Sequence, residues 1–207
     1  SSQLSKFLTV ETMVEEGTVI TRAKKIKLLT KPIHNECLFK WWDACRHIYN
    51  RTLFYILNTE PVQSKIFYRN LTCSPENLCR TPWVLETPYA LRSYASFQAY
   101  EMYKSALSNL KNKNIKHFHM KYLLKKSKSW SFRFDRRDIK LKSDRQFSLY
   151  GTYNNKLLFE TETDIGSIED DMTINFNGKN FYLIIPQKLK LNNMHNRLKD
   201  NVISIDP

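Results

Sequence analysis

The stretch RAKKIKLLTKPIHNECLFKWWDACRHIYNRTLFYIL, residues 22–57, changes its periodicity at one proline. Before Pro32, Ile26 and Leu28 share one face and Lys25 and Lys27 the other, the period-two pattern of a half-buried strand. After it, Leu38, Trp41, Trp42, Cys45, Ile48, Tyr49, Leu53 and Leu57 recur at intervals of three and four. That spacing predicts a helix with a broad apolar face. Pro32 sets the boundary, because a proline disfavours helical geometry in the residue before it. The adjacent tryptophans have two readings, core residues on a buried stripe or a base-stacking platform, and helical spacing favours the core.

Working outward, residues 58–87 contain Pro61, Pro75 and Pro82 and read as an irregular connector. A second long helix is expected over TPYALRSYASFQAYEMYKSALSNLKN, residues 87–112, with Thr87 as N-cap and Pro88 at the first helical position. Its stripe is Leu91, Ala95, Met102, Ala106 and Leu110. From Trp130 the period returns to two: WSFRF sets Trp130, Phe132 and Phe134 against Ser131 and Arg133. DIKLK, RQFSLYG and KLLFE continue as short strands. MTINFNGKNFYLIIP, residues 172–186, reads as a hairpin in which Asn177-Gly178 supplies the positive φ angles of a tight turn. The expected fold is α+β, with the first strand joining the later sheet and the helices inserted into a β-barrel-like domain. Residues 1–20 are read as an extension. The closing NVISIDP reads as the start of a further strand, with Asp206 at its tip.

The 207 residues carry 42% hydrophobic and 13% aromatic side chains, enough for a real core, but only 4 glycines. No glycine-rich phosphate cradle is present. No apolar run approaches the ~18 residues that a membrane span needs, and no membrane partner is expected. The opening SSQLSKFLTVETMVEEG has no basic-plus-apolar leader pattern. Cys37, Cys45, Cys73 and Cys79 include no C-x2-C pair, which leaves a zinc site unsupported. They read as small buried hydrophobes of a reducing compartment, with a Cys73–Cys79 bridge open only to an oxidising one.

The formal net charge is +13, which favours a polyanionic partner. The surplus is concentrated: residues 104–145 hold fourteen Lys or Arg and three Asp, a net of +11. Lys111, Lys113, Lys116, Lys121, Lys125, Lys126, Lys128, Arg133, Arg136 and Arg137 all fall within it. Such a stripe neutralises phosphates and releases counterions. Tyr122, Trp130 and Phe132 interleave with it, either as base-stacking rings or, by their alternation, as core. Glu160, Glu162, Asp164, Glu169, Asp170 and Asp171 form an acidic counterweight, read as a solvated loop or as a guard that repels nucleic acid from one face. His117-x-His119 lacks the spacing of a helical ligand pair and belongs to the basic surface. No catalytic Ser-His-Asp or Cys-His arrangement emerges.

The sequence resembles the TnpB and Fanzor proteins, transposon-associated RNA-guided DNA nucleases related to the small type V CRISPR effectors. The likeness is one of order and pattern over residues 22–207. KIKLLTKPIHNECLFKWWDACRHIYNRTL is similar to the family's opening strand and helix, with Arg46, Tyr49 and Asn50 at its Arg-x2-Tyr-Asn positions. TPYALRSYASFQAYEMYKSAL looks like the second recognition helix and KSWSFRFDRRDIKLKSDRQFSLYG like the basic, aromatic hairpin that follows. MTINFNGKNFYLIIP resembles the paired strands before the nuclease. VISIDP resembles the first strand of the RuvC-like domain, usually written Asp-x-Gly or Asp-Pro-Gly. The acidic loop and the extension are not features of the family, and an extension leans toward the eukaryotic or viral Fanzor branch.

The resemblance implies a wedge-type β-barrel with an inserted helical recognition domain, followed by the first strand of a RuvC-like (RNase H-like) nuclease domain. Residues 1–21 are then the extension, 22–32 the first barrel strand, 33–127 the recognition insertion, 128–190 the rest of the barrel, and 191–207 a linker and the nuclease strand. It implies a guide RNA of the omega type and target double-stranded DNA as partners, with base pairing reading the target and the protein a short adjacent motif. By position Tyr89, Arg92, Asp135 and Arg136 would contact that motif. Lys111, Lys113, Lys116, Lys121, Lys125, Lys126, Lys128, Arg133 and Arg137 would hold the RNA and DNA backbones. Asp206 would be the first catalytic carboxylate and a ligand of Mg2+, with its partner carboxylates beyond residue 207. The implied location is the nucleus for a Fanzor-type protein and the cytoplasm for a bacterial one. A nuclease-free nucleic-acid-binding regulator is the alternative, and an unrelated basic structural protein the third reading.

Overall fold

A computed structural model describes residues 19–151 and 157–190. The chain divides into two compact units. One is Ala23–Pro186. The other gathers Ser1–Arg22 with Gln187–Pro207; of it, only 19–22 and 187–190, the ends of two strands, lie among the described residues. The expected strand at residues 202–206 therefore lies outside them.

The order of elements is β1 (Val19–Leu29), α1 (Pro32–Asn58), α2 (Lys65–Cys73), α3 (Tyr89–Lys111), β2 (Trp130–Phe134), β3 (Ile139–Ser143), β4 (Gln146–Leu149), β5 (Leu158–Thr161), β6 (Met172–Phe176) and β7 (Phe181–Lys190). The strands form one seven-stranded sheet in the order β2-β6-β7-β1-β5-β4-β3. β1 thus sits in the middle of a sheet otherwise built from strands more than a hundred residues later. Hydrogen-bonded pairs β2–β6, β6–β7, β1–β5, β4–β5 and β3–β4 are antiparallel.

α1 begins where Pro32 supplies the preset φ of a first helical residue. Its cap is unusual: the Lys31 N–H donates to Nδ1 of His34 at 3.0 Å, in place of a Ser or Asp cap. His34 is buried against the Phe159 ring, and burial with the Lys31 charge lowers its pKa. The α1 stripe lies inward as expected from Leu38 to Leu53, but Leu57 is 46% exposed. Ile56 in the same turn is buried, so the end of the helix is covered on that side and open on the side of Leu57. Trp41 and Trp42 are buried, and Trp42 stacks on Trp130 of β2 with centroids 4.9 Å apart. This pair joins helix to sheet, and aromatic overlap adds about 0.5–1.5 kcal/mol to the burial of the rings.

Three further expectations about the helices are corrected. The connector at 58–87 is not irregular throughout, because α2 occupies Lys65–Cys73, capped by Ser64, whose Oγ accepts from the Phe67 N–H at 3.2 Å. Thr87 is not the cap of α3: Pro88 holds that position and the helix starts at Tyr89. The apolar stripe of α3 holds only over its first half. Leu91 and Ala95 are buried, whereas Met102 is 50% exposed. The inner face of α3 is instead partly hydroxylic: the Thr52 hydroxyl lies 3.1 Å from those of both Thr72 and Ser96, donating to one and accepting from the other, all three being fully buried. One hydroxyl cluster thereby ties α1, α2 and α3 together.

The WSFRF alternation is realised in β2, with Trp130, Phe132 and Phe134 buried. The β6–β7 hairpin also forms, but not through a two-residue turn. Phe176 pairs with Phe181, leaving 177–180 as a four-residue connection. Only Gly178 takes a positive φ there, +94°, while the Asn177 carboxamide oxygen accepts from the N–H groups of Lys179 and Asn180. Asn177 serves as a side-chain staple, not as a left-handed residue.

Candidate nucleic-acid interface

Between α3 and β2, residues 112–129 form neither helix nor strand. Such a segment normally requires side chains to fix it, because its backbone has no ladder partner. Here two kinds do so. Met120 and Leu123 pack against the apolar cluster of Tyr49, Leu53 and Ala99, and the Asn50 carboxamide bonds both backbone groups of Leu123. Asn50 Nδ2 donates to the Leu123 carbonyl at 2.9 Å, and the Leu123 N–H donates to Asn50 Oδ1 at 2.7 Å. The Phe118 ring meets Tyr103 edge to face at 6.0 Å. With Met120 and Leu123 held inward, the strap exposes Lys116, Lys121, Lys125, Lys126 and Lys128, together with Leu124 at 69% and Tyr122 at 46%. Lys111 and Lys113 at the end of α3, and Arg133 and Arg137 on the sheet side, are exposed as well. All nine residues expected to meet a nucleic-acid backbone therefore face solvent. Lys125 lies 3.8 Å from Asp43, which also holds Arg46 at 3.3 Å. Exposed pairs of this kind are worth little.

A groove of about 380 Å³ opens between α3 and β2. Its lining includes Lys65, Phe97, Gln98, Arg133, Asp171 and Thr173. The Phe97 ring has two cations over it, Lys65 Nζ at 5.1 Å and the Arg69 guanidinium at 5.8 Å. Tyr94 at the groove donates its hydroxyl to Asp135 at 3.1 Å and lies 3.5 Å from Asp171. Arg133 pairs with Asp171 at 3.0 Å. Arg137 clasps Asp135 with its backbone N–H at 2.8 Å and its guanidinium at 3.0 Å. The Arg137 bonds hold the Asp135 carboxyl far below the usual carboxylate range. Burial, then the Asp171 and Asp135 charges, push the Tyr94 hydroxyl well up. Asp135 is thus fixed as an anion and Tyr94 as a neutral donor.

The four residues expected at an adjacent DNA motif are placed unequally. Tyr89 is 45% exposed at the start of α3. Arg92 is buried, donating Nε to the Thr87 carbonyl at 3.2 Å and Nη1 to the Cys73 carbonyl at 2.8 Å. In this structure its guanidinium clamps the α2–α3 connection, and it lies 5.4 Å from the Tyr89 ring. Asp135 is buried beneath Arg137, and Arg136 is exposed with its guanidinium 2.9 Å from the Glu169 carbonyl. Tyr94, Phe97 and Gln98 escaped the sequence reading, and Asp171 enters it only as part of the acidic counterweight. The signal was available in part, since Tyr94, Phe97, Gln98 and Glu101 share one helical face at spacings of three and four.

Of the three positions that mark the first helix in the family pattern, Arg46 pairs with Asp43 and Tyr49 donates to the Met102 sulfur at 3.4 Å. Asn50 makes the clamp on Leu123. The acidic segment is neither a free loop nor a uniform guard: Asp164 pairs with Arg145 at 2.8 Å, Asp171 with Arg133, and Glu162 stands 4.0 Å from Lys27. No disulfide joins any of the four cysteines, of which Cys45 and Cys73 are buried and Cys79 is exposed. Burial pushes Cys73 up to about 11, and Cys45 further. Neither is a ready nucleophile. Among the described residues no group of three or more His, Cys, Asp or Glu side chains is arranged to hold a metal, and no helix is long and apolar enough to cross a membrane. Asp206, and with it the expected Mg2+ ligand, lies outside the described residues.

No protein-family model matches the chain. A protein of Paramecium bursaria Chlorella virus 1, described as "Putative transposase", is 34% identical to it over 115 residues. The match covers 52% of this chain and 27% of that protein, so the matched segment spans about a quarter of the relative's length. The similarity supports a transposase-related family.

Proposed function

We propose that the chain is the nucleic-acid-holding portion of a transposon-associated, RNA-guided DNA endonuclease of the TnpB and Fanzor type. The observation that carries this reading is the basic strap: Met120 and Leu123 anchor it, and its lysines all face solvent. A solvated charge run needs no such anchoring, whereas a backbone-binding surface gains from holding its cations in place. In this reading the strap, with Lys111, Lys113, Arg133 and Arg137, follows phosphates of guide RNA and target DNA. The groove between α3 and β2 then takes the edge of the adjacent duplex, with Gln98 and Arg133 as hydrogen-bonding groups. Tyr89 and Arg136 lie exposed for the same contact, and Arg92 would support it from beneath by fixing the start of α3. Asp206 is assigned as the first carboxylate of a Mg2+-dependent RuvC-like site.

The test has two stages. Protein purified from its expression host should carry bound RNA, and after its removal should rebind RNA and duplex DNA with a steep salt dependence. Engaging six or more of the nine cations gives a slope of log K against log salt on the order of −5. A purified chain without nucleic acid and without salt-sensitive binding would remove the reading. In the full-length protein, Asp206→Ala should abolish cleavage and leave binding intact; equal loss of both would contradict its catalytic assignment.

A further inference from the structure

The strap owes its place to a contact between residues 73 positions apart. Asn50 projects from α1 and meets Leu123 with both ends of its carboxamide, donating at 2.9 Å and accepting at 2.7 Å. It imitates what a neighbouring strand would do for that peptide. A carboxamide suits this role because its donor and acceptor sit on separate atoms of one planar group, spaced as in a peptide. Leu123 lies between Lys121 and Lys125, with Lys126 and Lys128 close behind, all four exposed. The other attachments are less directional. The packing of Met120 and Leu123 on Tyr49 and Leu53 fixes burial but not the hydrogen-bonding register of the peptide. The Lys125–Asp43 pair is 3.8 Å long with the lysine 75% exposed.

We infer that Asn50 is a positioning residue for the nucleic-acid interface: it acts through the Leu123 backbone to hold the strap's lysines in one line along a phosphate backbone. The inference rests on the nucleic-acid reading given above. Asn50 touches no ligand in this account, and its effect is on how many of the strap's cations a bound backbone can engage together. Release of the clamp by alanine leaves the net charge unchanged, so nonspecific attraction persists; aspartate adds one negative charge. What falls is the number of phosphates neutralised at once, which sets the salt slope.

The experiment compares wild type, Asn50→Ala and Asn50→Asp. The alanine removes both bonds. The aspartate keeps the shape and the acceptor but has no donor for the Leu123 carbonyl. Two readouts are taken: amide hydrogen exchange at Leu123, and fluorescence anisotropy with a duplex DNA and a structured RNA hairpin over a series of salt concentrations. Asn50→Ala should exchange faster at Leu123, with the slope of log K against log salt shallower by about 1–3 and affinity in low salt reduced several-fold. Asn50→Asp still accepts from the Leu123 N–H and should protect that amide better than the alanine does, with a slope between those of alanine and wild type. Faster exchange in Asn50→Ala with an unchanged slope overturns the inference, as does unchanged exchange in Asn50→Ala. All measurements are made below the melting midpoints of the proteins compared; if neither variant folds, Asn50 is a folding residue and the positioning role is wrong. A wild-type chain that binds neither probe in a salt-dependent way overturns the nucleic-acid reading and this inference with it. Wild-type binding with unaltered variants overturns this inference alone.

Discussion

Asp135 shows how a single side chain is specified by its surroundings. Its carboxylate accepts from the Arg137 backbone and guanidinium and from the Tyr94 hydroxyl. These bonds hold its pKa below the ordinary value. A lowered carboxylate pKa contributes stability that is present above the unfolded value and lost as pH falls through the folded one. Asp135→Asn should therefore be less stable than wild type at pH 7, by about 1–3 kcal/mol for a charged hydrogen-bond acceptor. The difference should shrink below about pH 4, where the wild-type unfolded state takes up the proton. Denaturant melts at pH 7, 5 and 3 check this; a difference independent of pH contradicts it. Trp42 tests the opposite kind of bond, apolar and insensitive to pH. It is buried in stacked contact with Trp130. Trp42→Ala should lower stability by about 3–5 kcal/mol at any pH where the protein folds, read from the denaturation midpoint.

At the level of the element, helices and strands follow from local pattern more faithfully than their ends do. The α1 stripe and the alternation of β2 are realised because side-chain period is a property of backbone geometry alone. α2 was missed because three prolines and two cysteines mask a nine-residue helix whose start rests on one serine. The hairpin turn shows how a correct element can rest on different chemistry. Gly178 is required there for two reasons: its φ is +94°, and an added Cβ would meet the Lys128 carbonyl oxygen at 2.8 Å. Backbone of the strap's end thus passes directly against the β6–β7 turn. Gly178→Ala should destabilise by more than about 1 kcal/mol, with exchange rising at Lys128 as well as in the hairpin. A neutral substitution would show that this turn relaxes freely.

Across the whole molecule, the distribution of charge is decided by pairing as much as by composition. The formal +13 is carried by a chain whose acidic segment is in part matched to its own cations. Arg145 is paired with Asp164 and Arg133 with Asp171, while Lys116, Lys121, Lys126 and Lys128 are exposed on the strap. Replacing these four lysines with glutamine should flatten the salt slope for nucleic acid by about 3 and leave the melting midpoint nearly unchanged. Arg145→Gln should flatten the slope far less per charge removed. An equal effect per charge from the two substitutions would mean that binding follows net charge and not the strap.

Sequence by itself determined the local and additive properties: the change of period at Pro32, the alternation around Trp130, the concentration of positive charge over residues 104–145, and the burial of the tryptophan pair. Each depends on neighbours within a few residues, or on a sum over residues. Tertiary structure alone decided which faces meet. It turned Arg92 inward onto two carbonyls, joined Tyr94 to Asp135, and brought Asn50 to the backbone of Leu123. Periodicity shows that a residue belongs to a face but not what packs on that face. The sheet order, which puts β1 between β7 and β5, brings distant segments together, and hydrogen bonding between them then fixes which side chains become clamps and which remain free to bind.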